Sequence, residues 1–318
     1  MVTGGTGFIG SNIVKLLLEE ESEVVTYDTV IDHNAIQSLL NKEQLSRTTM
    51  VRGNVTDLAR LINVARKYNI DKIIHLAYIL TGGGEENPTE VLNVGIQGAI
   101  NIFEATNILG IKRTVWASSD AVFGEAKNYP EVIPNDAPHF PTNLYGLGKS
   151  VSEFLAVHYF TKYKVDSIGL RPTMVYGPAR FRGAGLYTAE LINKPALGLP
   201  GRVAYSRSPP IDYIHVEDVA RAFILACKVP TTKTRNITLA HGSTYTVPQI
   251  AEIVRKYIPD VDISYVEPYD FYYDLPGKFD TTELRAEIGF RPKYSMEEGV
   301  RKTIEVVREM NGRASATQ

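Results

Sequence analysis

The chain has 318 residues, 44% hydrophobic and 22% charged, with 34 Lys and Arg against 36 Asp and Glu and a formal net charge of −2. These are the proportions of a globular protein with enough chain to bury a substantial core, as one large domain or two modest ones. They exclude a disordered, collagen-like or disulfide-stapled chain, and the lack of positive excess argues against nucleic acid or an anionic membrane as partner. No run approaches the roughly 18 apolar residues that span a bilayer. No signal peptide opens the sequence, so a cytoplasmic protein is expected.

Met1-Val2-Thr3 reads as a very short strand, running at once into Gly4-Gly5-Thr6-Gly7-Phe8-Ile9-Gly10. A strand so abrupt leaves open a native start upstream of Met1. A helix pattern follows, with Ile13, Val14, Leu16, Leu17 and Leu18, and residues 23–27 (EVVTY) form a second strand ending at Asp28. Next come a strand at 49–51, a helix at 58–68, a buried strand at 72–76, a helix at 91–109 and a strand at 113–117. A long helix at 145–163 and a strand at 167–170 complete the alternation. Strands alternating with helices predict a parallel sheet covered on both faces, a doubly wound α/β domain over residues 1–170.

Beyond Arg171-Pro172 glycine and proline become frequent through residue 210, which predicts a smaller, loop-rich substrate lobe over 171–318. Within it, residues 211–241 are expected to return to the sheet domain, with a strand at 212–216 and a helix at 217–228. A helix at 248–257, a strand at 263–266 and a terminal amphipathic helix at 296–310 belong to the lobe. The single cysteine, Cys227, lies in an apolar helical run (VARAFILACKV) and reads as a buried thiol. The six histidines show no metal-ligand spacing, and His75 and His215 sit inside predicted strands, so no metal is expected.

Gly4, Gly7 and Gly10 have the spacing of a turn that brings backbone N–H groups against a pyrophosphate, and the following helix adds its positive end. Strand, glycine turn, helix, strand and acid all fall within about 30 residues, one βαβ unit. Asp28 closes the second strand, where a carboxylate accepts from both ribose hydroxyls and repels a 2′-phosphate. Neither neighbour is an arginine, so NAD is expected rather than NADP.

Tyr145 and Lys149 stand four apart on one helix face, and Ser119 lies 26 residues upstream at a strand end. Removing a proton from an alcohol oxygen while a hydride leaves its carbon needs a base. Free tyrosine, with pKa ≈ 10, is a poor one until a nearby ammonium stabilises its phenolate. That assigns Tyr145 as base, Lys149 as its activator and Ser119 as the group orienting the substrate oxygen. Glu153 reads as an acid on the helix face.

TGGTGFIG at 3–10, HLA at 75–77, SSDAVFG at 118–124, YGLGK at 145–149, RPTMVYGP at 171–178 and DYIHVEDVA at 212–220 occur in an order that resembles the extended short-chain dehydrogenase/reductases, the NAD-dependent epimerase/dehydratase family. The resemblance runs through essentially the whole chain and implies a Rossmann fold. It implies that Phe8 and Ile9 offer amides to the pyrophosphate and that Asn54 and Val55 flank the adenine. Leu76 and Ala77 would line the cofactor channel, Val175 would approach the nicotinamide, and Lys149 would also bond the nicotinamide ribose. The family's dehydratases follow the hydroxyl residue with an Asp-Glu pair; here Asp120 precedes Ala121, which disfavours dehydration. Ile211 stands where nucleotide-sugar members carry a diphosphate-binding arginine.

The loop AYILTGGGEENP at 77–88 is similar to that of short-chain L-threonine 3-dehydrogenases, which places Thr81 toward the substrate, although their Thr-Thr-Asp run is Leu186-Tyr187-Thr188 here. Thr81, Ser119, Asp120, Thr173, Arg180 and Tyr187 are the candidate substrate residues. The expected activity is hydride transfer between NAD and a small polar secondary alcohol, such as a hydroxy acid or sugar acid. A nucleotide-sugar 4-epimerase and a non-catalytic NAD sensor are the alternatives. The resemblance also implies a homodimer through the helices at 91–109 and 145–163.

Overall fold

The computed structural model describes residues 1–31, 33–79, 87–203, 209–265 and 275–315. Its main sheet takes β1 (Val2–Thr3), β2 (Val24–Asp28), β3 (Thr48–Arg52), β4 (Lys72–His75), β5 (Arg113–Ala117), β6 (Ser167–Pro172) and a last strand at Asn236–Leu239. Seven strands pair in parallel, in the order β3-β2-β1-β4-β5-β6 and then Asn236–Leu239. β1 is flanked by both β2, with Val2 opposite Thr26, and β4, with Val2 opposite Ile74. The chain thus reverses its direction of sheet growth beside the glycine turn, and such a switch point opens a crevice at the strand ends.

The strands are buried on both faces because helices cover both. Among them are α1 (Phe8–Glu19), α2 (Leu58–Lys67), α3 (Gly98–Leu109) and α4 (Leu144–Tyr163). Ile13, Val14 and Leu18 of α1 join Val115, Ile168, Leu170 and Phe223 in the largest apolar cluster. A second cluster under the lobe gathers Leu191, Val203, Tyr213, Val254, Val300 and Ile304. The predicted helix at 91–109 is interrupted: a short helix at Pro88–Leu92 passes through a π-helical turn at Asn93–Gln97 before α3 begins. The terminal helix extends to Ser315.

The strand predicted to return at 212–216 does not enter the main sheet. β7 (Met174–Tyr176) leaves the main sheet after Pro172, and β8 (Ile211–His215) pairs with it in a separate three-stranded sheet. The reason is that the edge beside β6 is already taken: β9 (Asn236–Leu239) bonds along Gly169 to Pro172. The returning strand is therefore β9, still within 211–241, and α5 (Val216–Ala226) packs back against α1. Cys227 is partly buried, and burial pushes its thiol up to about 11, as expected of a packing residue. His75 and His215 are buried and bonded to Thr3 and Thr303 hydroxyls, with burial driving their pKa values to about 3 and about 4. No described helix is long and apolar enough to cross a membrane.

Asp218 on α5 is buried and ties the lobe's C-terminal segment down. It accepts from the Lys293 and Tyr294 amides at 2.8 and 3.2 Å and pairs with Arg221 at 2.8 Å. Asp218→Ala leaves two part-buried amide donors without this partner and is predicted to lower stability by about 1–3 kcal/mol, read as a fall in the urea midpoint.

Candidate active site

The C-terminal ends of β1, β2, β4 and β5 open onto one cleft of about 480 Å³, which β7 and the loop at 177–185 cover from the lobe side. All thirteen residues expected to hold the cofactor line it: Gly4, Gly7, Phe8, Ile9, Gly10, Asp28, Asn54, Val55, Leu76, Ala77, Tyr145, Lys149 and Val175. The glycine turn is as tight as a phosphate cradle requires. Gly4 has φ +67°, and a Cβ there would meet the Ala77 nitrogen at 2.8 Å; a Cβ on Gly10 would stand 2.2 Å from the Gly4 oxygen. Gly7 caps α1 with no side chain over its end, so the first-turn amides of the helix face the cleft.

Asp28 lines the cleft and is braced by its neighbours: its Oδ2 accepts from the Thr6 hydroxyl at 2.7 Å and the Thr6 amide at 3.3 Å, and its Oδ1 from the Val30 amide at 3.5 Å. Thr6 is a supporting residue the motif alone does not reveal. Asn54 spends its side-chain oxygen on the Thr56 amide at 3.0 Å, and its carbonyl accepts from the Tyr27 hydroxyl. The residues present therefore fit an adenine dinucleotide: small backbone at the pyrophosphate, an acid at the ribose, and apolar Val55 toward the base.

Ser119, Tyr145 and Lys149 come together at the end of β5. Asn143 caps α4 by accepting from the Gly146 amide at 2.8 Å, which fixes the first turn that carries Tyr145. Lys149 is buried, and its Nζ donates to the Ala117 carbonyl at 2.5 Å. Burial pulls its pKa down to about 7, against the opposing charge of Glu153. Burial pushes the Tyr145 hydroxyl up to about 12; the neighbouring Ser119 hydroxyl and the Arg180 charge act the other way, while the Asp120 charge adds to the rise. Ser119 also lies within bonding distance of Asp120 Oδ1, at 3.1 Å.

Glu153 is not an exposed acid of the helix face. It is 3% exposed and clasped by Arg171 through two bonds, at 2.7 and 2.6 Å, with the Ser118 hydroxyl on its Oε1 at 2.5 Å. This network pins α4 to β6 and to the end of β5, one helical turn beyond Lys149. The position, four residues after Lys149 on the same face, was the available signal. Tyr78 is a second residue the motifs miss: its ring lies 4.0 Å from Lys149 Nζ.

The candidate substrate residues divide. Ser119, Asp120, Thr173 and Arg180 line the cleft. Thr173 donates its hydroxyl to buried Asp212 at 2.6 Å. Arg180 bonds the Val175 carbonyl at 2.8 Å and lies 5.0 Å from the Phe8 ring, at the glycine turn. Tyr187 is not at the cleft: it is 8% exposed in the lobe core, its hydroxyl 2.8 Å from that of Tyr213. The short helix at Leu186–Thr188 turns it inward against the second apolar cluster. Thr81 lies outside the described residues.

A parallel sheet with a glycine turn at its switch point and a Ser–Tyr–Lys group beside it defines an NAD-dependent α/β oxidoreductase class. The model of the NAD-dependent epimerase/dehydratase family matches residues 1–240, and the chain belongs to that family. It is 26% identical over 311 residues to a UDP-glucose 4-epimerase of Mycolicibacterium smegmatis, covering 97% of this chain and 98% of that one. A Thermus thermophilus UDP-glucose 4-epimerase solved with NAD superposes with a TM-score of 0.80 at 26% identity, over 96% of this chain and 98% of its own. The fold is shared equally with an L-threonine dehydrogenase of Cupriavidus necator, TM-score 0.84 and 24% identity over 98% of both chains. The protein is thus an NAD-dependent enzyme of the epimerase or dehydrogenase type.

Asp120 gives a pH test. Burial is the largest influence on its carboxyl and Asp212 adds repulsion, together raising it from 3.8 to about 7. A raised carboxyl pKa makes its contribution to stability complete below about pH 4 and lost as pH climbs through about 7. The side chain keeps partial access to the cleft, which tempers the size of the effect. Asp120→Asn is predicted to match the wild type in urea midpoint at pH 4 and to exceed it at pH 8.

Proposed function

We propose that the enzyme oxidises a secondary alcohol, with Tyr145 taking the proton from the alcohol oxygen. When bound, NAD accepts the hydride from the alcohol carbon, or returns it as NADH, and its oxidised ring is positively charged. Tyr145 holds the proton at its phenolic oxygen, Ser119 donates to the substrate oxygen and keeps it aligned with that phenol, and Lys149 supplies the neighbouring charge that favours the phenolate. Asp28 and the amides of Phe8 and Ile9 hold the cofactor. The observation that carries the reading is that Ser119, Tyr145 and Lys149, with Lys149 one turn beyond Tyr145, line the same cleft as the glycine turn.

The substrate proposed is a small polar alcohol bearing a carboxylate, a hydroxy acid or sugar acid. Ile211, which stands where the diphosphate-binding arginine is expected, is buried at the start of β8. Arg180, with Thr81, then provides for a carboxylate. The UDP-glucose 4-epimerase relative supports a second reading, a nucleotide-sugar 4-epimerase using the same residues. The two are separated by assay across hydroxy acids, sugar acids, amino-alcohols and UDP-sugars. A dehydrogenase accumulates NADH, and an epimerase interconverts a UDP-sugar without net NADH. Tyr145→Phe is predicted to lower turnover at least about 10²-fold while NAD binding persists; unchanged turnover in that variant contradicts the mechanism.

We propose a cytoplasmic homodimer, and the exposed apolar side chains of α4 support the assembly. Phe154 is 73% exposed, Leu147 and Val157 are also exposed, and Val151 and Leu155 lie partly covered beside them. Sedimentation at micromolar concentration should give a dimer that Phe154→Glu dissociates. A wild-type monomer contradicts this assembly.

A further inference from the structure

Tyr78 follows Ala77 beyond the end of β4 and lines the cleft, yet neither the glycine turn nor the Ser–Tyr–Lys spacing gives it a role. Its ring lies 4.0 Å from Lys149 Nζ, closer than the Tyr145 ring at 5.5 Å. The Tyr78 and Tyr145 rings meet edge to face, with centroids 5.0 Å apart and planes at 81°, and the Tyr78 hydroxyl donates to the Tyr145 carbonyl at 3.4 Å. Two glycines on different elements make room for that hydroxyl. A Cβ on Gly148 of α4 would stand 2.1 Å from it, and one on Gly95, in the π-helical turn, 2.5 Å.

A ring seated this closely, with space kept for it from two sides, acts on what it touches. Resting on the reading in which Lys149 activates Tyr145, we infer that Tyr78 is a positioning residue: its ring face holds the Lys149 ammonium in the charged form, and its edge fixes the Tyr145 ring. A desolvated ammonium over an aromatic face is attracted by the ring's quadrupole, and the attraction is lost when the amine is neutral. Burial raises the Tyr78 hydroxyl well above the ordinary tyrosine range, so the ring presents no competing charge of its own.

The other groups around Lys149 leave this place open. Tyr145 and Glu153 face it from its own helix, and Glu153 is already clasped by Arg171. His75 faces it from β4 and is held neutral by burial. From β5 comes the Ala117 carbonyl, and Asp120 and Arg180 act on Tyr145 from the turn and loop beyond. Tyr78 supplies attraction for the cation from beyond β4, where its ring lies 4.0 Å from Lys149 Nζ.

The test uses Tyr78→Leu, which removes the ring, Tyr78→Phe, which keeps it, and a paired rescue. Gly148→Ala drives a methyl into the Tyr78 hydroxyl, whereas Gly148→Ala with Tyr78→Phe leaves the ring carbon at 3.4 Å, an ordinary contact. Two readouts are taken on the full chain. One is the ¹³C NMR titration of the Lys149 ε-carbon, assigned with Lys149→Met and independent of turnover. The other is the pH dependence of kcat/KM for alcohol oxidation.

Loss of the ring is expected to lower the Lys149 titration by about one pH unit, a tenfold change in its protonation constant. A neutral lysine no longer favours the phenolate, so the acid limb of kcat/KM moves to higher pH. Tyr78→Phe stays near the wild type in both readouts. Gly148→Ala shifts Lys149 in the direction of Tyr78→Leu, and adding Tyr78→Phe restores it. An unchanged Lys149 titration in Tyr78→Leu, with NAD binding retained, overturns the proposal. If Tyr78→Leu does not fold, the Gly148 pair decides, and absence of rescue overturns it. A wild-type enzyme that oxidises no alcohol sinks the oxidoreductase reading alone, since the NMR titration still decides the role of Tyr78.

Discussion

The site depends on keeping one ammonium charged where water hardly reaches. Lys149 is 4% exposed, and burial alone brings it close to neutrality near pH 7. A buried cation persists only with partners that offset its lost hydration. The partners come from different parts of the fold: the Ala117 carbonyl from β5, the Tyr78 ring from beyond β4, and the Glu153 charge from the same helix. Much of the local architecture follows. The Arg171 clasp anchors Glu153, Ser118 closes that network, and Asn143 fixes the helix start that presents Tyr145. Burial holds the Tyr145 hydroxyl at about 12, above its ordinary value. In the proposed mechanism a bound NAD would add the positive charge of its oxidised ring beside that phenol and so couple the base to cofactor binding.

The fold was legible where the signal is local. Alternating apolar strands and helices, a glycine turn and a closing acid all lie within short windows, and all thirteen expected cofactor residues share the cleft. What escaped depends on distant chain. Glu153 looks like a surface acid on a helix that is apolar nearly all round, until Arg171, eighteen residues on, arrives from β6. Tyr78 gains its place through glycines at 95 and 148, a relation no spacing pattern encodes. The misplacement of the strand at 212–216 has the same origin, since its partner was decided by β9 occupying the sheet edge. Tyr187 falls in a segment where the threonine run is not preserved, and its side chain packs into the lobe core against Tyr213.

Polar side chains on the lobe side of the cleft are engaged within the protein. Thr173 is spent on Asp212, and Arg180 is held at the glycine turn by Val175 and Phe8. Asp120, raised to about 7 by burial, lies beside Ser119 and acts on Tyr145. The proposed preference for a compact alcohol rests on these side chains rather than on the Ser–Tyr–Lys group, which alternative chemistries share.

The central claim is that a cation held beside Tyr145, completed by NAD, turns a reluctant phenol into a base. Ultraviolet difference titration of Tyr145 against Tyr145→Phe, with and without saturating NAD, tests it most directly. The account predicts ionisation above the ordinary tyrosine range in the free protein and below about 10 with NAD bound. Ionisation at the same pH in both states contradicts it.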